Sequence, residues 1–494
     1  LHPDCSFETD RIRAMASIPG QQMLRLISVG SEMGEGQATF LSSAINLSAA
    51  SMGCSILALP RVFAVCGMRW SLAFLVIFSL WVELSLRWLV ACGRFSGYRG
   101  FKENAQYFLG ARAAKLVHLC QVLLLCGGIV MIFVTACSLL GCSARELLAS
   151  LCTEDGPVAA TQLSGALARL CQAHPAPCMS PEKVLSLIVL VVFPLACQKS
   201  LHSLTGVSML SFVCLAYFFV VLLVRLANRA MTSPTLSLDL MEIGQQETPL
   251  FWQGPPVLLM SLLCHTTMLQ LDAELCPEAK AKVSKVIRLV ILGEALPVYA
   301  VVGAGGLWLH GSKVSANVLQ DFSNDPWMAA ARLTLGLMNV AKLATAVITL
   351  REALVSLAPS AASRKRLRSL EGRAVGSFLA LLFGATAAYA VPSLTAVLSL
   401  LGCTVGVLFS LCLPAALFAM LLRRVSKTEC KRDLEEPLLT PHSERRAAGW
   451  AEGTVHLPQS DAEWTLQWLL CAAVFTGGLF VGGLGLLSWI RDPV

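Results

Sequence analysis

The feature that most constrains this chain is an apolar stretch, residues 42–67, that carries its own interruption. Residues 52–55 (MGCS) break the run, and Pro60 follows shortly after. Glycine is conformationally permissive and proline lacks an N–H donor, so a continuous helix is disfavoured here. A broken helix in lipid leaves backbone groups that find no water. Secondary transporters place such breaks at a binding site near the membrane midplane, so the stretch predicts a site of that kind.

The composition places most of the chain in a bilayer. Of its 494 residues, 55% are hydrophobic and only 14% are charged, whereas a soluble protein carries about a quarter charged residues. Runs of about 20 apolar residues cross a bilayer as helices. We predict an all-α integral membrane protein with about eleven transmembrane helices, at Phe40–Cys66, Trp70–Cys92, Leu116–Leu140, Val184–Ala196 (a short run, extended into Ser180–Gln198), Gly206–Leu226, Phe251–Leu271, Val286–Leu309, Met328–Leu357, Val375–Val391, Thr395–Leu422 and Trp464–Ile490.

Basic residues predict the orientation of these helices. If the N-terminus is cytosolic, about 26 lysines and arginines fall on the cytosolic side and about 8 on the other side. Cytosolic loops carry an excess of Lys and Arg, so this orientation is favoured. The net charge of +7 then reports topology and does not indicate nucleic-acid binding. The plasma membrane and a vacuolar or lysosomal membrane both stay open as locations.

Two interrupted helices, five spans apart, predict an internal repeat. The sixth span begins with Gly-Pro-Pro at 254–256 and has a polar centre at 264–267. Because five is odd, the two five-helix halves have opposite orientations, although two unrelated irregular helices are the alternative. The predicted organisation is a cytosolic N-terminal tail (1–38), a first repeat (39–226) with an outer loop (143–182), a second repeat (227–422), a disordered cytosolic linker (423–462) and an eleventh transmembrane helix (463–494).

The cysteines form no metal or redox motif. Most of the 19 lie within predicted spans, where they are small packing residues. Cys152, Cys171 and Cys178 lie instead in the predicted outer loop, where we expect one disulfide whose partners stay open. The sequence shows no nucleophile–base pair, metal-ligand spacing or phosphate-binding loop. We therefore predict a protein that is not an enzyme and has no cofactor.

Four motifs follow one another along the chain. They are residues 46–67 (NLSAASMGCSILALPRVFAVCG), residues 262–275 (LLCHTTMLQLDAEL), residues 349–354 (TLREAL) and residues 391–417 (VPSLTAVLSLLGCTVGVLFSLCLPAAL). In this order they resemble the first, sixth, eighth and ninth-to-tenth helices of the amino acid/auxin permease family, in particular its sodium-coupled neutral amino acid transporter branch. The resemblance implies a LeuT-like five-plus-five inverted repeat with one extra C-terminal helix, and amino acid transport by alternating access.

A free amino acid needs partners for its carboxylate, its ammonium group and its side chain. Exposed amides at 53–55 would bind the carboxylate at the positive end of a half-helix. Carbonyls at 49–52 and 261–264 would accept from the ammonium group, and the small residues near them favour a neutral substrate. Simple helix packing is the alternative for each residue. The predicted substrate-binding residues are Ala49, Met52, Gly53, Cys54, Ser55, Ser261, Cys264 and His265.

Ionisable residues inside the predicted spans are costly and usually functional. His265 would contact the substrate or sense protons, with a hydrogen-bonded core histidine as the alternative. Glu294 has no partner near it in the sequence and is a candidate proton carrier, or else a packed carboxyl group. Glu83 and Arg87 are four residues apart on one helix and are expected to pair.

Lys342 lies near the middle of the eighth span. Counting back from Arg351, it falls at or near the position where the sodium-coupled relatives offer a hydroxyl to Na+. Asn46 is retained, but Ala49 replaces an asparagine of those relatives. A lysine ammonium there supplies positive charge and repels a second cation, unless Lys342 snorkels along its helix instead. We predict sodium-independent transport, by proton symport or by exchange, with Lys342, Asn46 and Glu294 as the charge or coupling-ion site.

The sequence thus predicts a secondary active transporter of neutral amino acids, with the substrate, protons and the lipid bilayer as its partners. A membrane sensor that binds an amino acid without net transport is the alternative. Asp272 and Glu274 lie near the cytosolic end of the sixth span, where interaction with Lys280, Lys282 or Arg351 would make an inner gate; ordinary interface charges are the alternative.

Overall fold

The chain folds almost entirely into helices, without an extended strand, wherever the structure describes it. The computed structural model describes residues 39–151, 180–198, 205–232, 250–322, 325–358, 360–432 and 461–491. The predicted N-terminal tail (1–38) and the three loop cysteines, Cys152, Cys171 and Cys178, lie outside the described residues.

Fourteen main helices follow one another in the described part of the chain. They are α1 (Phe40–Ser51), α2 (Cys54–Cys66), α3 (Met68–Ser96), α4 (Phe101–Leu109), α5 (Ala111–Leu151), α6 (Pro181–Ala196), α7 (Thr205–Thr232), α8 (Gly254–Ser261), α9 (His265–Glu274), α10 (Val283–Lys313), α11 (Pro326–Leu357), α12 (Leu370–Ala390), α13 (Leu394–Val425) and α14 (Asp461–Arg491). Shorter helices lie in the connections at Pro277–Lys280, Val318–Asp321 and Ala361–Arg368.

Most of the predicted spans have a helix of spanning length. Eight of the described helices are long and apolar enough to cross a membrane, and α1 and α2 together form a ninth, bent span. The fourth predicted span folds as α6, which has 16 residues, and the sixth is divided between α8, with 8 residues, and α9, with 10. A multi-pass helical membrane protein is therefore confirmed. The count of eleven spans and the inverted repeat stay predictions.

Two helices extend further than the apolar runs indicate. α5 continues to Leu151, although an outer loop is predicted to begin at residue 143. The helix that ends α13 begins at Leu413 and continues beyond α13 to Arg432. It therefore extends past residue 423, where the linker is predicted to begin. Leu, Ala, Arg, Lys and Glu are good helix formers, so a helix does not end where its apolar run ends. Residues 152–179 and 433–460 lie outside the described residues.

Local sequence signals explain where several helices begin. Thr39 caps α1, because its hydroxyl accepts the Ser42 N–H at 3.3 Å. Pro60 lies in the first turn of the α-helical part of α2, where its missing N–H leaves no bond unmade. Gly67 joins α2 to α3 with a φ of +78°, a conformation that residues with a Cβ rarely adopt. Asp325 caps α11 with its carboxylate.

Ten of the helices form two packed groups, and α13 contacts helices of both. α5, α6, α11 and α12 contact one another, and α2, α3, α8 and α10 form a second group to which α1 and α9 attach. α10 approaches α2 closely through two glycines: an added Cβ would lie 2.4 Å from the Phe63 ring at Gly303, and 2.4 Å from the Pro60 ring at Gly306. α7 contacts both α1 and α11, so it lies along the boundary between the two groups.

Candidate functional site

The first helix break lies where the sequence predicts it. α1 ends at Ser51 and the next helix begins at Cys54, with the two axes bent by 46°. The Gly53 N–H donates to the Ser51 carbonyl at 3.2 Å, so this amide, predicted to be an exposed donor, is used within the break itself. The N–H groups of Cys54 and Ser55 open α2 and, as first-turn donors, have no carbonyl of their own helix to bind.

The second break also follows the prediction. α8 ends at Ser261 and α9 begins at His265. The N–H groups of the two residues that follow Ser261 donate to the carbonyls of Leu259 and Met260 at 3.2 Å, which tightens the last turn of α8. Both members of the predicted pair of interrupted spans are therefore discontinuous.

Tyr299, on α10, joins the two breaks. Its hydroxyl oxygen lies 2.8 Å from the Ser51 carbonyl oxygen and 2.8 Å from the Ser261 carbonyl oxygen. These are the last residues of α1 and α8, and the Tyr299 side chain is fully buried. A hydroxyl has one hydrogen, so the two carbonyls share it in a bifurcated bond. Sequence patterns do not single out Tyr299, because nothing near it in the chain indicates that it faces two distant breaks.

A cavity lies beside the first break, between α7 and α11. Its outline of about 310 Å³ includes space that is open to solvent, and an added Cβ at Gly53 would meet no atom within 4 Å, so the backbone forms the wall there. Four predicted site residues meet here: Met52, Gly53, Cys54 and Lys342. The other lining residues are Ile56, Leu57, Ser211, Leu215, Leu335, Met338 and Asn339.

Lys342 reaches this cavity from α11. Within the described part of the chain its ammonium group has no hydrogen-bond partner and no carboxylate partner. The titratable groups within its electrostatic reach are the thiols of Cys54 and Cys214. Asn339, one turn earlier on α11, donates to the Leu335 carbonyl at 2.9 Å. A cation in such a place is stabilised by an anionic group brought by a ligand.

The two faces of α1 have different surroundings. Asn46 and Ala49 lie on the half-exposed face that leads to Gly53, because residues three or four apart share a helix face. Ser48 and Ser51 lie on the buried face, toward α10. Neither Asn46 nor Ala49 lines the cavity, and the remaining predicted residues Ser55, Ser261 and Cys264 are buried at or near the two breaks and do not line it either.

Glu294 has a partner that the sequence does not reveal. It lies on a π-helical turn of α10, Leu289–Ala295, and accepts a hydrogen bond from the Ser48 hydroxyl. The carboxyl group is half-buried, does not line the cavity, and lies within electrostatic reach of Tyr299. Glu294 therefore ties α10 to α1 one turn away from the first break.

His265 is buried at the start of α9 and does not line the cavity. Its Nε2 atom lies 2.7 Å from the Ser85 hydroxyl of α3, and its Nδ1 atom has no hydrogen-bond partner among the described residues. Of the two interpretations of this residue, the geometry favours the hydrogen-bonded core histidine.

Asp272 pairs with a residue that the sequence does not indicate. Arg94, at the end of α3, contacts it with both Nη2 (2.7 Å to Oδ1) and Nε (3.1 Å to Oδ2), and also donates to the Lys280 carbonyl at 2.8 Å. Arg351 donates instead to the carbonyls of Ala196 and Gln198, at 2.7 and 2.8 Å. The predicted pairing of Asp272 with a lysine side chain or with Arg351 was therefore wrong, because its partner comes from a helix far away in sequence.

The expected pair within α3 is confirmed. Arg87 donates to the Glu83 carboxylate from one turn further along the helix. Arg288 of α10 also lies 3.4 Å from Glu83, so this nearly buried carboxylate joins α3 to α10 as well.

A discontinuous helix that lines a cavity is characteristic of helical membrane transporters. The family model described as transmembrane amino acid transporter protein matches residues 36–439, which include both breaks and the cavity. The chain therefore belongs to the transmembrane amino acid transporter family. That membership places it among transporters and not among enzymes, as the sequence predicts.

One curated relative shows how far the similarity extends. Amino acid transporter AVT6E of Arabidopsis thaliana is 24% identical to the chain over 290 residues, which are 57% of this chain and 54% of the relative. The match thus spans about half the length of that relative.

Proposed function

We propose that this protein carries neutral amino acids across a membrane by secondary active transport with alternating access. The observation that carries the proposal is the cavity beside the first break, which is lined by Cys54, the first residue of α2, and by a lysine that has no partner among the described residues. Membership of the amino acid transporter family supports amino acids as the substrate class.

The cavity suits the carboxylate of an amino acid. Cys54, the first residue of α2, lines it at the positive end of a helix dipole. Lys342 adds a full positive charge to the same cavity. A carboxylate there receives charge-assisted hydrogen bonds from a lysine that otherwise has no partner in the described chain.

The rest of the lining favours a substrate with an uncharged side chain. Leu57, Leu215, Leu335 and Met338 give the cavity apolar walls, and no carboxylate of the described residues lines it. A cationic side chain would find no counter-charge, and an anionic one would add a second negative charge for a single lysine to balance. This supports neutral amino acids.

Transport is sodium-independent in this proposal. The Lys342 ammonium supplies the positive charge that a coupling ion would bring, and it repels a second cation nearby. Proton symport through Lys342 or Glu294, or exchange of one amino acid for another, are the remaining modes. In this proposal the N-terminus is cytosolic, and the protein lies in the plasma membrane or in a vacuolar or lysosomal membrane.

The two packed groups of helices provide the moving parts. α1, α2, α8 and α9 would rock, with α3 and α10, against α5, α6, α11 and α12. The cavity is lined from both groups, so relative movement changes its access. Arg94 and Asp272 lie at the end of α3 and α9 that is cytosolic in this orientation, and they link these two helices within the group that would rock.

Uptake of radiolabelled amino acids into proteoliposomes tests the function. We expect saturable uptake of neutral amino acids by the purified protein, at the same rate in sodium and in choline medium, and a measurement with an inward proton gradient separates symport from exchange. Complete dependence on sodium would contradict the proposed coupling. Binding of an amino acid without any flux or exchange would indicate a sensor instead.

A further inference from the structure

The hydroxyl of Tyr299 occupies an unusual position. α1 and α8 are the first halves of the two broken helices, and the carbonyl of each final residue, Ser51 and Ser261, points at this one hydroxyl, at 2.8 Å. The carbonyl end of a helix carries the negative end of its dipole. Two negative helix ends therefore converge on a single buried point.

One carboxyl group adds to the negative character of this point, whereas the two thiols near it are neutral when protonated. Glu294 and the thiols of Cys54 and Cys264 lie within electrostatic reach of Tyr299. The nearby hydroxyls are directed elsewhere, because Ser51 Oγ donates to the Ser48 carbonyl and Ser261 Oγ donates to the Val257 carbonyl. The hydroxyl hydrogen of Tyr299 supplies the partial positive charge that the two carbonyls bind.

Such a point is a favourable place for a small cation. In transporters with broken helices, unwound carbonyls and the carbonyl ends of half-helices are the ligands for coupling cations. Oxygen atoms from carbonyls and carboxylates are the ligands that hard cations prefer. Here two carbonyl oxygens of the same kind, those of Ser51 and Ser261, bind the Tyr299 hydroxyl of the chain instead of a cation.

We propose that the Tyr299 hydroxyl takes the place of a monovalent cation at the junction of the two broken helices. The inference rests on the proposed function, since it explains why transport needs no sodium. It identifies a second place where a group of the protein replaces a cation. Tyr299 lies on α10 at the ends of α1 and α8, whereas Lys342 lies on α11 and faces the cavity. Tyr299 acts as a positioning residue that keeps α1 and α8 in fixed register.

A single substitution converts this point into a cation site. Tyr299→Phe keeps the ring, removes the hydroxyl hydrogen and leaves two buried carbonyls without a donor. A sodium ion provides what the carbonyls lack, and a ligand that binds only the folded state stabilises it. Tyr217→Phe is the matched control, because the Tyr217 hydroxyl donates to the Trp327 carbonyl at 3.1 Å at a partly exposed position on α7, away from the breaks.

The experiment measures thermal unfolding and amino acid uptake in sodium and in choline medium of equal ionic strength. We expect sodium to raise the unfolding midpoint of Tyr299→Phe, and to raise its uptake by about three-fold or more, without effect on the wild type or on Tyr217→Phe. A Tyr299→Phe protein that folds only in sodium gives the same answer. Equal behaviour in both media, or failure to fold in either, overturns the proposal.

The two assays separate this inference from the proposed function. If the wild type transports amino acids and Tyr299→Phe ignores sodium in both assays, the inference fails and the function stands. If sodium stabilises Tyr299→Phe but the wild type shows no uptake, the cation position stands and the proposed transport fails.

Discussion

At the scale of single residues, the first break is bordered by two side chains with different tasks. Lys342 of α11 faces the cavity without a partner in the described chain, and Tyr299 of α10 is fully engaged by two carbonyls. Cys54 lies within electrostatic reach of both. One side of the break is therefore open to a ligand, whereas the other side is already satisfied by the protein.

Removal of the Lys342 charge is expected to weaken substrate binding. Lys342→Met keeps the length of the side chain and removes its charge, so the substrate carboxylate loses a charge-assisted hydrogen bond of about 1.5–3 kcal/mol. We expect the apparent affinity for the substrate to fall by about ten-fold or more, as measured from the concentration dependence of uptake. Lys313→Met, at an exposed lysine at the end of α10, is the control and is expected to behave as the wild type. An unchanged affinity in Lys342→Met would show that the lysine does not bind the carboxylate.

At the scale of helices, the ends of α3 and α9 are held together by one bidentate pair. The Arg94 and Asp272 side chains are 9% and 12% exposed, so water screens their contact only weakly. Arg94 also binds the Lys280 carbonyl, which fixes the short segment after α9. This makes the pair a structural link between α3, α9 and that segment.

Breaking that pair has a measurable cost. Asp272→Asn leaves Arg94 nearly buried without its counter-charge, and we expect the free energy of unfolding to fall by about 2–4 kcal/mol, measured by thermal unfolding in detergent. Glu352→Gln is the matched control, because Glu352 pairs with Arg368 at 3.3 Å where the side chains are 43% and 64% exposed. Exposed pairs contribute about 0–1 kcal/mol. A cost for Asp272→Asn no larger than for Glu352→Gln would rule out this link.

The sequence predicts what depends on local chemistry. Gly53 and Pro60 indicate the first break, and Gly254-Pro255-Pro256 with the polar centre near His265 indicate the second, because these residues limit helix formation wherever they stand. The apolar runs likewise predict the long helices. Apolar runs do not predict where α5 and the helix Leu413–Arg432 end, because polar residues with good helix propensity extend a helix past its apolar part.

Contacts between distant segments could not be predicted in this way. Arg94 and Asp272 are separated by 178 residues, and Tyr299 meets Ser51 across 248 residues. Nothing local distinguishes Tyr299 from any other tyrosine in a span, or Arg94 from the lysines nearer to Asp272. The cavity at Lys342 depends on the packing of α7 and α11 beside the break, which also lies beyond a single sequence.

At the scale of the whole molecule, the candidate site lies at the boundary between two groups of helices. One wall of the cavity comes from the broken helix and the other from α7 and α11. A substrate held there contacts both groups at once. Its binding therefore couples to their relative position, which is what alternating access requires.

The measurement that most directly tests the central claim compares the wild type with Gly53→Val. Valine fits the backbone at residue 53, with φ of −95° and ψ of −164°, and its Cβ meets no atom within 4 Å, so the protein is expected to fold normally. The side chain would fill the cavity at the free amides. Gly483→Val is the control, because residue 483 is exposed on α14 and an added Cβ there also meets open space.

We predict that proteoliposomes with the wild type or Gly483→Val take up neutral amino acids. Gly53→Val, with an unfolding midpoint like that of the wild type, is predicted to lose uptake by about ten-fold or more, since its side chain takes the place of the substrate. Uptake by folded Gly53→Val at the wild-type rate would contradict the claim that an amino acid binds at the first break.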